Sequence, residues 1–408
     1  MHSRTPFFKV FGPLLFGKSP VSPLAEAFAK FSENTSLSQL RKVFGAFIPQ
    51  SLLAPSVSGA NSRKRLFSLD VIFWSFLDQV QSPGASCREA VRKVQAFSCR
   101  KVPPQKEARM SARTTSYCKA RAKIPLDVLD GIQAHLVDRI QTRIPHNALW
   151  HGRHVKLVDG TGISMPDTPE NQASWPQSKG QKPGCGFPAI NLVGIFCLLT
   201  GALIKTAHST VTLPESLPVR VVRYTIAHHG FRTQVVTIIT TLLDADLPAS
   251  GLADLYFRRW RIELHFKEIK IHLKMDVLRC LSPHMVEREL RMHFIAYNLI
   301  RCVMQKAALT HDTDLVRLSF KGCLDTLRHF ANAACGADDK PRTISALIDE
   351  MLLVIASDII PLRPFRTEPR VRKRRPKNYR LMTKPRREIG PLPHRKTGVE
   401  NPPKSRLS

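Results

Sequence analysis

The chain has 408 residues, 43% of them hydrophobic, with 62 Lys+Arg against 32 Asp+Glu and a formal charge of +30. That length allows two or three domains around a sizeable core, and the basic excess calls for a polyanionic partner, nucleic acid before a membrane surface. Nine dispersed cysteines, without C-x2-C pairs or zinc-finger spacing, argue against a disulfide or zinc framework and fit a reducing cytoplasm.

Residues 1–61 read as a helical extension. Its basic, apolar start is interrupted by Lys9 and followed by no clean small-residue cleavage site, so it is not expected to be a signal peptide. A Ser/Gly/Asn-rich break, SVSGANSRKR, leads into an all-α region over 62–150. There LDVIFWSFLDQV predicts an apolar helix ending at Ser82-Pro83-Gly84, and Ser86 with Glu89 predicts a capping box for the next helix. Further helices follow in SARTTSYCKARAKIPLDVLDGIQAHLVDRI. Arg88, Arg92, Lys93, Lys119, Arg121 and Lys123 are placed on polar faces, as a DNA-binding module or merely as a soluble cap. No helix-turn-helix is clear enough to name a recognition helix.

At His154 the period changes. HVKLVDGTGISMP predicts a strand that ends in a turn at Asp159-Gly160-Thr161-Gly162, and a carboxylate at a strand end is where α/β folds commonly place chemistry. The run from Ile190 to Ile204 is too short to span a bilayer and predicts a buried β-hairpin. PVRVVRYTI and QVVTIITTLL are dense in β-branched residues and predict two later strands.

The stretch Leu252–Lys274, LADLYFRRWRIELHFKEIKIHLK, predicts one helix, with Pro248 and Ser250 as start signals. At roughly 100° per residue, Leu255, Ile262, Phe266, Ile269 and Leu273 form an apolar stripe, and Tyr256, Arg259, Glu263 and Lys270 lie in the adjoining ~60° arc. At the border of that stripe the Glu263 carboxylate is expected to be partly desolvated and to need a partner. Downstream, MDVLRCLSPHMVERELRMHFIAYNLIRCVMQKAA predicts two or three apolar helices, and TISALIDEMLLVIA a last one. From Arg363 the tail carries 16 Lys/Arg against 3 Asp/Glu. Such a tail is expected to stay disordered until it meets phosphates.

The spacing Y-x2-R-x3-E-x6-K resembles the signature of transposases of the insertion sequence 4 family, DDE enzymes with an RNase H-like core. The segments FLDQVQSPGASCREAV…SYCKARAKIP and PDTPENQASWPQ…GFPAINLVGIFCLLTGALI are also similar to that family, and the resemblance covers roughly residues 73–387. It implies an α/β fold: an RNase H-like mixed sheet with flanking helices, preceded by the all-α region and followed by helices and the basic tail. The core would occupy 151–310, C-terminal helices 311–361 and the tail 362–408. Asp159 and Glu263 would be catalytic carboxylates and ligands of Mg²⁺ or Mn²⁺. Tyr256, Arg259 and Lys270 would contact double-stranded DNA, at transposon ends and target, in a homodimer assembled on DNA. The site of action would be the bacterial cytoplasm, associated with the nucleoid.

One expected residue is missing. The family places a second Asp after the first hairpin, and of Asp167, Glu170, Glu215, Asp244, Asp246 and Asp254 none follows a strand in the right place. Only 104 positions separate Asp159 from Glu263, fewer than the family usually shows. An internal deletion near Lys205–Thr212 accounts for both, with Asp244 or Asp246 as a possible substitute ligand. The expectation is DNA binding with little or no strand transfer. The alternative is a non-catalytic DNA-binding protein or an inhibitor of an intact transposase. An RNA-binding role would need a sheet bearing stacking aromatics, and there is no such cluster.

Overall fold

The computed structural model describes residues 41, 43–54, 67–82, 84–98, 113–207, 218–226, 234–244, 246–333, 341–361, 384, 385 and 388. The helical pieces before residue 41, the Ala227–Phe231 segment and nearly all of the basic tail lie outside these, as does most of the 205–212 junction.

The all-α region forms as its sequence dictates. Helix α1 (Leu69–Gln81) is capped by Ser68, whose hydroxyl accepts from Val71 N, and it buries Ile72, Phe73, Phe76 and Leu77. Helix α2 (Cys87–Ser98) starts where Ser86 Oγ accepts from Glu89 N at 3.2 Å. Helices α3 (Thr115–Ala122) and α4 (Leu126–Gln141) follow, the latter burying Leu129, Ile132, Leu136 and Ile140 along one stripe. Two of the expected surface cations turn inward. Lys93 pairs with Asp78 at 2.8 Å, and the Arg121 guanidinium lies 4.7 Å from the Phe76 ring centre while donating to Gln79 Oε1 at 2.9 Å. Arg88, Arg92 and Lys119 are exposed.

Strand β1 (Lys156–Ser164) runs straight through the predicted turn, because Asp159, Gly160, Thr161 and Gly162 pair with Gly194, Val193, Leu192 and Asn191 of β2 (Ala189–Cys197). Asp159 is therefore a mid-strand residue. Strand β3 (Leu203–Ala207) completes the predicted hairpin, giving an antiparallel sheet in the order β1-β2-β3. A short helix, α5 (Pro169–Ser174), lies between β1 and β2. Strands β4 (Arg220–Ile226) and β5 (Gln234–Thr240) form a separate antiparallel pair. Among the described residues no strand of either sheet pairs in parallel; the parallel contact seen is an isolated bridge from Ser164 to Val277.

The predicted helix at 252–274 is helical as far as His272, two residues short of its predicted end, and changes its hydrogen bonding three times. It comprises α6 (Ala249–Phe257), a 3-10 turn (Arg258–Trp260), α7 (Arg261–Lys267) and a π turn (Glu268–His272). Leu252 of α6 packs with Val222 and Ile238 on the β4–β5 pair, whereas Ile262, Phe266, Ile269 and Leu273 join the main core.

Beyond it, the expected two or three helices are largely one, α8 (Pro283–Thr310), 28 residues that begin at a Ser-Pro step. It is buried on nearly every side and packs against α1, α3, α4, β3, α9 (Phe320–Ala333) and α10 (Pro341–Ser357). One apolar core thus extends from Phe44 to Ala356.

Side chains close parts of both sheet edges. On β3, Asn298 of α8 accepts from Leu203 N and donates to Leu203 O, both at 2.9 Å. On β1, Ser164 bonds to the backbone at Asp276 and Leu278, so the backbone N–H and C=O groups of the even-numbered residues of that strand point away from β2. Glu289 pins the same segment by accepting from the backbone N–H of Arg279 and Cys280.

Candidate nucleic-acid and metal site

The core face of the sheet carries Leu157, Asp159, Thr161 and Ile163 on β1 opposite Phe196, Gly194, Leu192 and Ile190 on β2. Helix α7 covers it. Gly194 makes this approach possible, since a Cβ there would lie 3.2 Å from the Phe266 ring and 2.8 Å from Phe196. Phe266 therefore rests on the residue paired with Asp159, which brings the helix bearing Glu263 against the strand bearing Asp159.

One turn further on, Lys270 Nζ donates to Thr161 Oγ1 at 3.1 Å and to Gly162 O at 2.9 Å. Asp159 Oδ1 meanwhile accepts from Gly160 N at 2.8 Å. Two of the outward-facing backbone groups of β1 are thus met by a carboxylate and an ammonium. An ammonium has three donors, so Lys270 keeps one beyond the two used on β1.

Glu263 is exposed, against the expectation of a partly desolvated carboxylate, and among the described residues it makes no ion pair. Arg259 turns to rings instead, 5.5 Å from the Tyr256 centre and 5.3 Å from that of Trp260. Tyr256, Phe257 and Trp260 are all exposed beside it.

Asp244 is taken up locally. Its Oδ2 lies 3.7 Å from Arg153, and its Oδ1 accepts from Asp246 N at 3.1 Å. Among the described residues no three His, Cys, Asp or Glu side chains are grouped so as to hold a metal.

On the opposite flank of α7 the structure reveals a buried polar cluster that sequence reasoning missed. Glu268 Oε2 is ion-paired with Arg301 Nη2 and lies 3.2 Å from His265 Nδ1. Tyr297 Oη receives a bond from Arg301 Nε at 3.1 Å and donates to Gly201 O at 2.6 Å. Burial alone would raise the Glu268 carboxyl, but Arg301 and His265 outweigh it and hold the group below its usual range. Burial, with Arg301 adding to it, lowers His265, so its ring is neutral. His265 Nδ1 faces both Glu268 Oε2, which can only accept, and at 3.0 Å Arg301 Nη2, which can only donate, while Nε2 is buried without a partner. Arg301, set among apolar residues in AYNLIRCVM, is the one sequence signal that could have pointed to a buried anion.

The transposase DDE domain family matches this chain over residues 206–299. That segment holds Tyr256, Arg259, Glu263 and Lys270, and it leaves out Asp159. The transposase InsG for insertion sequence element IS4 of Escherichia coli (strain K12) is 33% identical over 151 residues, 36% of this chain and 34% of that protein. The transposase for insertion sequence element IS421 of Escherichia coli is 34% identical over 70 residues, 17% of this chain and 19% of that protein. The chain thus spans about a third of the first relative's length. No solved structure matches.

Proposed function

We propose, from the premise that this chain is an insertion sequence 4 family relative of the DDE transposases, that it binds double-stranded DNA along the α6–α7 face and has lost most of its strand-transfer activity. The observation that carries this reading is the α7–β1 contact. Lys270, anchored on Thr161 and Gly162, and Glu263 share the helix that packs across the pair Asp159–Gly194. Arg259 with Tyr256 and the third donor of Lys270 would hold backbone phosphates, which position DNA without reading its bases.

A DDE site needs carboxylates converging on one or two divalent ions, which activate the attacking oxygen and stabilise the leaving one. Asp159 and Glu263 are two such groups. Asp244, facing Arg153 and its own turn, is a poor candidate for the third. An internal deletion near Lys205–Thr212 that removed a core strand with the second Asp explains this, and an RNase H-like ancestry with it. DNA-directed assembly as a homodimer and a place in the bacterial cytoplasm belong to the same reading; among the described residues no helix is long and apolar enough to cross a membrane.

The test uses the purified full chain and DNA carrying its own coding region with flanks. The expected result is binding that weakens steeply with salt and no nicking in Mg²⁺ or Mn²⁺. Metal-dependent nicking abolished by Glu263→Ala would overturn the loss of activity. Absence of salt-sensitive binding would overturn the DNA reading itself.

A further inference from the structure

We propose that Glu268, together with Arg301, His265 and Tyr297, is a positioning group that sets the roll of α7 and thereby the direction in which Glu263 and Lys270 face. This rests on the DNA-contact role proposed for Lys270.

The geometry divides α7 into two flanks. On a helical wheel His265 and Glu268 lie roughly 140–160° from Glu263, so the polar cluster and the candidate site occupy opposite sides of one apolar stripe. The stripe itself, Ile262, Phe266, Ile269 and Leu273, is buried but not directional, because apolar contact tolerates rotation. Hydrogen-bonded charges do not. Glu268 is held by Arg301 from α8, and Tyr297, also on α8, ties the group to the β2–β3 turn through Gly201 O. Side-chain ends sit about 5–6 Å from a helix axis, so a roll of about 20° would move Lys270 by about 2 Å, enough to release Thr161 Oγ1 and Gly162 O.

The π turn begins at Glu268. Its wide bond from Leu273 N to Glu268 O, at 3.1 Å, starts at the residue whose side chain is clamped, and Lys270 lies inside that turn. His272 at its end stacks on Phe320 with ring centres 6.4 Å apart. Anchors at both ends of the turn keep Lys270 on β1. A buried ion pair is a poor way to gain stability, since desolvation offsets the attraction. Its use here is the fixed orientation that apolar packing alone does not supply.

The experiment is a double-mutant cycle on DNA affinity, measured well below the melting transition of each variant. Lys270→Ala in the unaltered protein should weaken binding about fivefold and make the salt slope shallower by about one. In a Glu268→Gln background, or in Tyr297→Phe should Glu268→Gln fail to fold, the same Lys270→Ala change should cost less than about twofold, since the ammonium is already misdirected. Glu268→Asp, which keeps the charge, should restore part of the coupling. An equal loss from Lys270→Ala in every background overturns the positioning role. No loss from Lys270→Ala even in the unaltered protein overturns the DNA-contact reading instead.

Discussion

Tyr297 Oη donates to the carbonyl oxygen of Gly201 at 2.6 Å, joining the middle of α8 to the turn between β2 and β3. Gly201 has φ +67, and a Cβ there would lie 2.6 Å from His265 Cε1 and 2.9 Å from Arg301 Cζ. Gly201→Ala thus meets both an unfavourable backbone region and a collision with the ionic cluster. The expected cost is about 2–4 kcal/mol, read by urea unfolding. Gly180→Ala, where the nearest atom is Ser178 Oγ at 4.0 Å, should leave stability within about 0.5 kcal/mol.

Removing one member of the buried pair should be worse than removing both. Arg301→Met leaves Glu268 charged and mostly shielded from water, at a cost of about 2–4 kcal/mol. Glu268→Met combined with Arg301→Met deletes both charges and should recover much of that loss. Denaturant midpoints of the single and double variants measure the difference, and a double variant less stable than the single would contradict this account.

The β3 edge allows a finer comparison. Leu203 O accepts from Asn298 at 2.9 Å and from Gln133 at 3.0 Å, whereas Leu203 N has Asn298 as its partner. Asn298→Leu strands a buried N–H and should cost about 2–3 kcal/mol, while Gln133→Leu leaves Leu203 O satisfied and should cost about 1 kcal/mol or less. Thermal melts of the two variants should keep that order.

His293 is fully enclosed, and burial with help from Arg279 lowers it to about 3 from an ordinary 6.5. Between those values the unfolded chain binds a proton that the native state refuses, so stability falls as the pH is lowered. From pH 7 to pH 5 the loss through this one residue is about 2 kcal/mol. His265, lowered by burial as well, acts in the same direction. In His293→Leu the fall over that interval should be smaller by about 2 kcal/mol, compared by urea unfolding at the two pH values.

Much of this was legible from residue patterns. The apolar spacing of Ile262, Phe266, Ile269 and Leu273 marks the buried stripe, and Ser68 and Ser86 cap the helices they precede. What patterns miss is set by tertiary partners. Asp-Gly-Thr-Gly reads as a turn, yet its glycines lie in a strand because β2 pairs with them at every position. Local propensity in LADLYFRRWRIELHFKEIKIHLK favours one α-helix, and the π turn that ends it is in contact with α8 and β1, partners the stretch itself does not encode. Glu263 and Glu268 look alike in sequence; one is exposed and the other half-buried against Arg301, which sits 33 residues beyond it.

Helix α8 has a temporal consequence. Helices α1, α3 and α4 and strand β3 all pack against it, so in a chain emerging from the ribosome they wait for a partner that is made well after them. At about 5–20 residues per second, the interval between completing Gln141 and completing Thr310 is roughly 10–30 s. Throughout that time the apolar stripe of Leu129, Ile132, Leu136 and Ile140 stays open to chaperones and proteases. The yield of folded protein is therefore governed by how the nascent chain is guarded before α8 arrives, as much as by the stability it has afterwards.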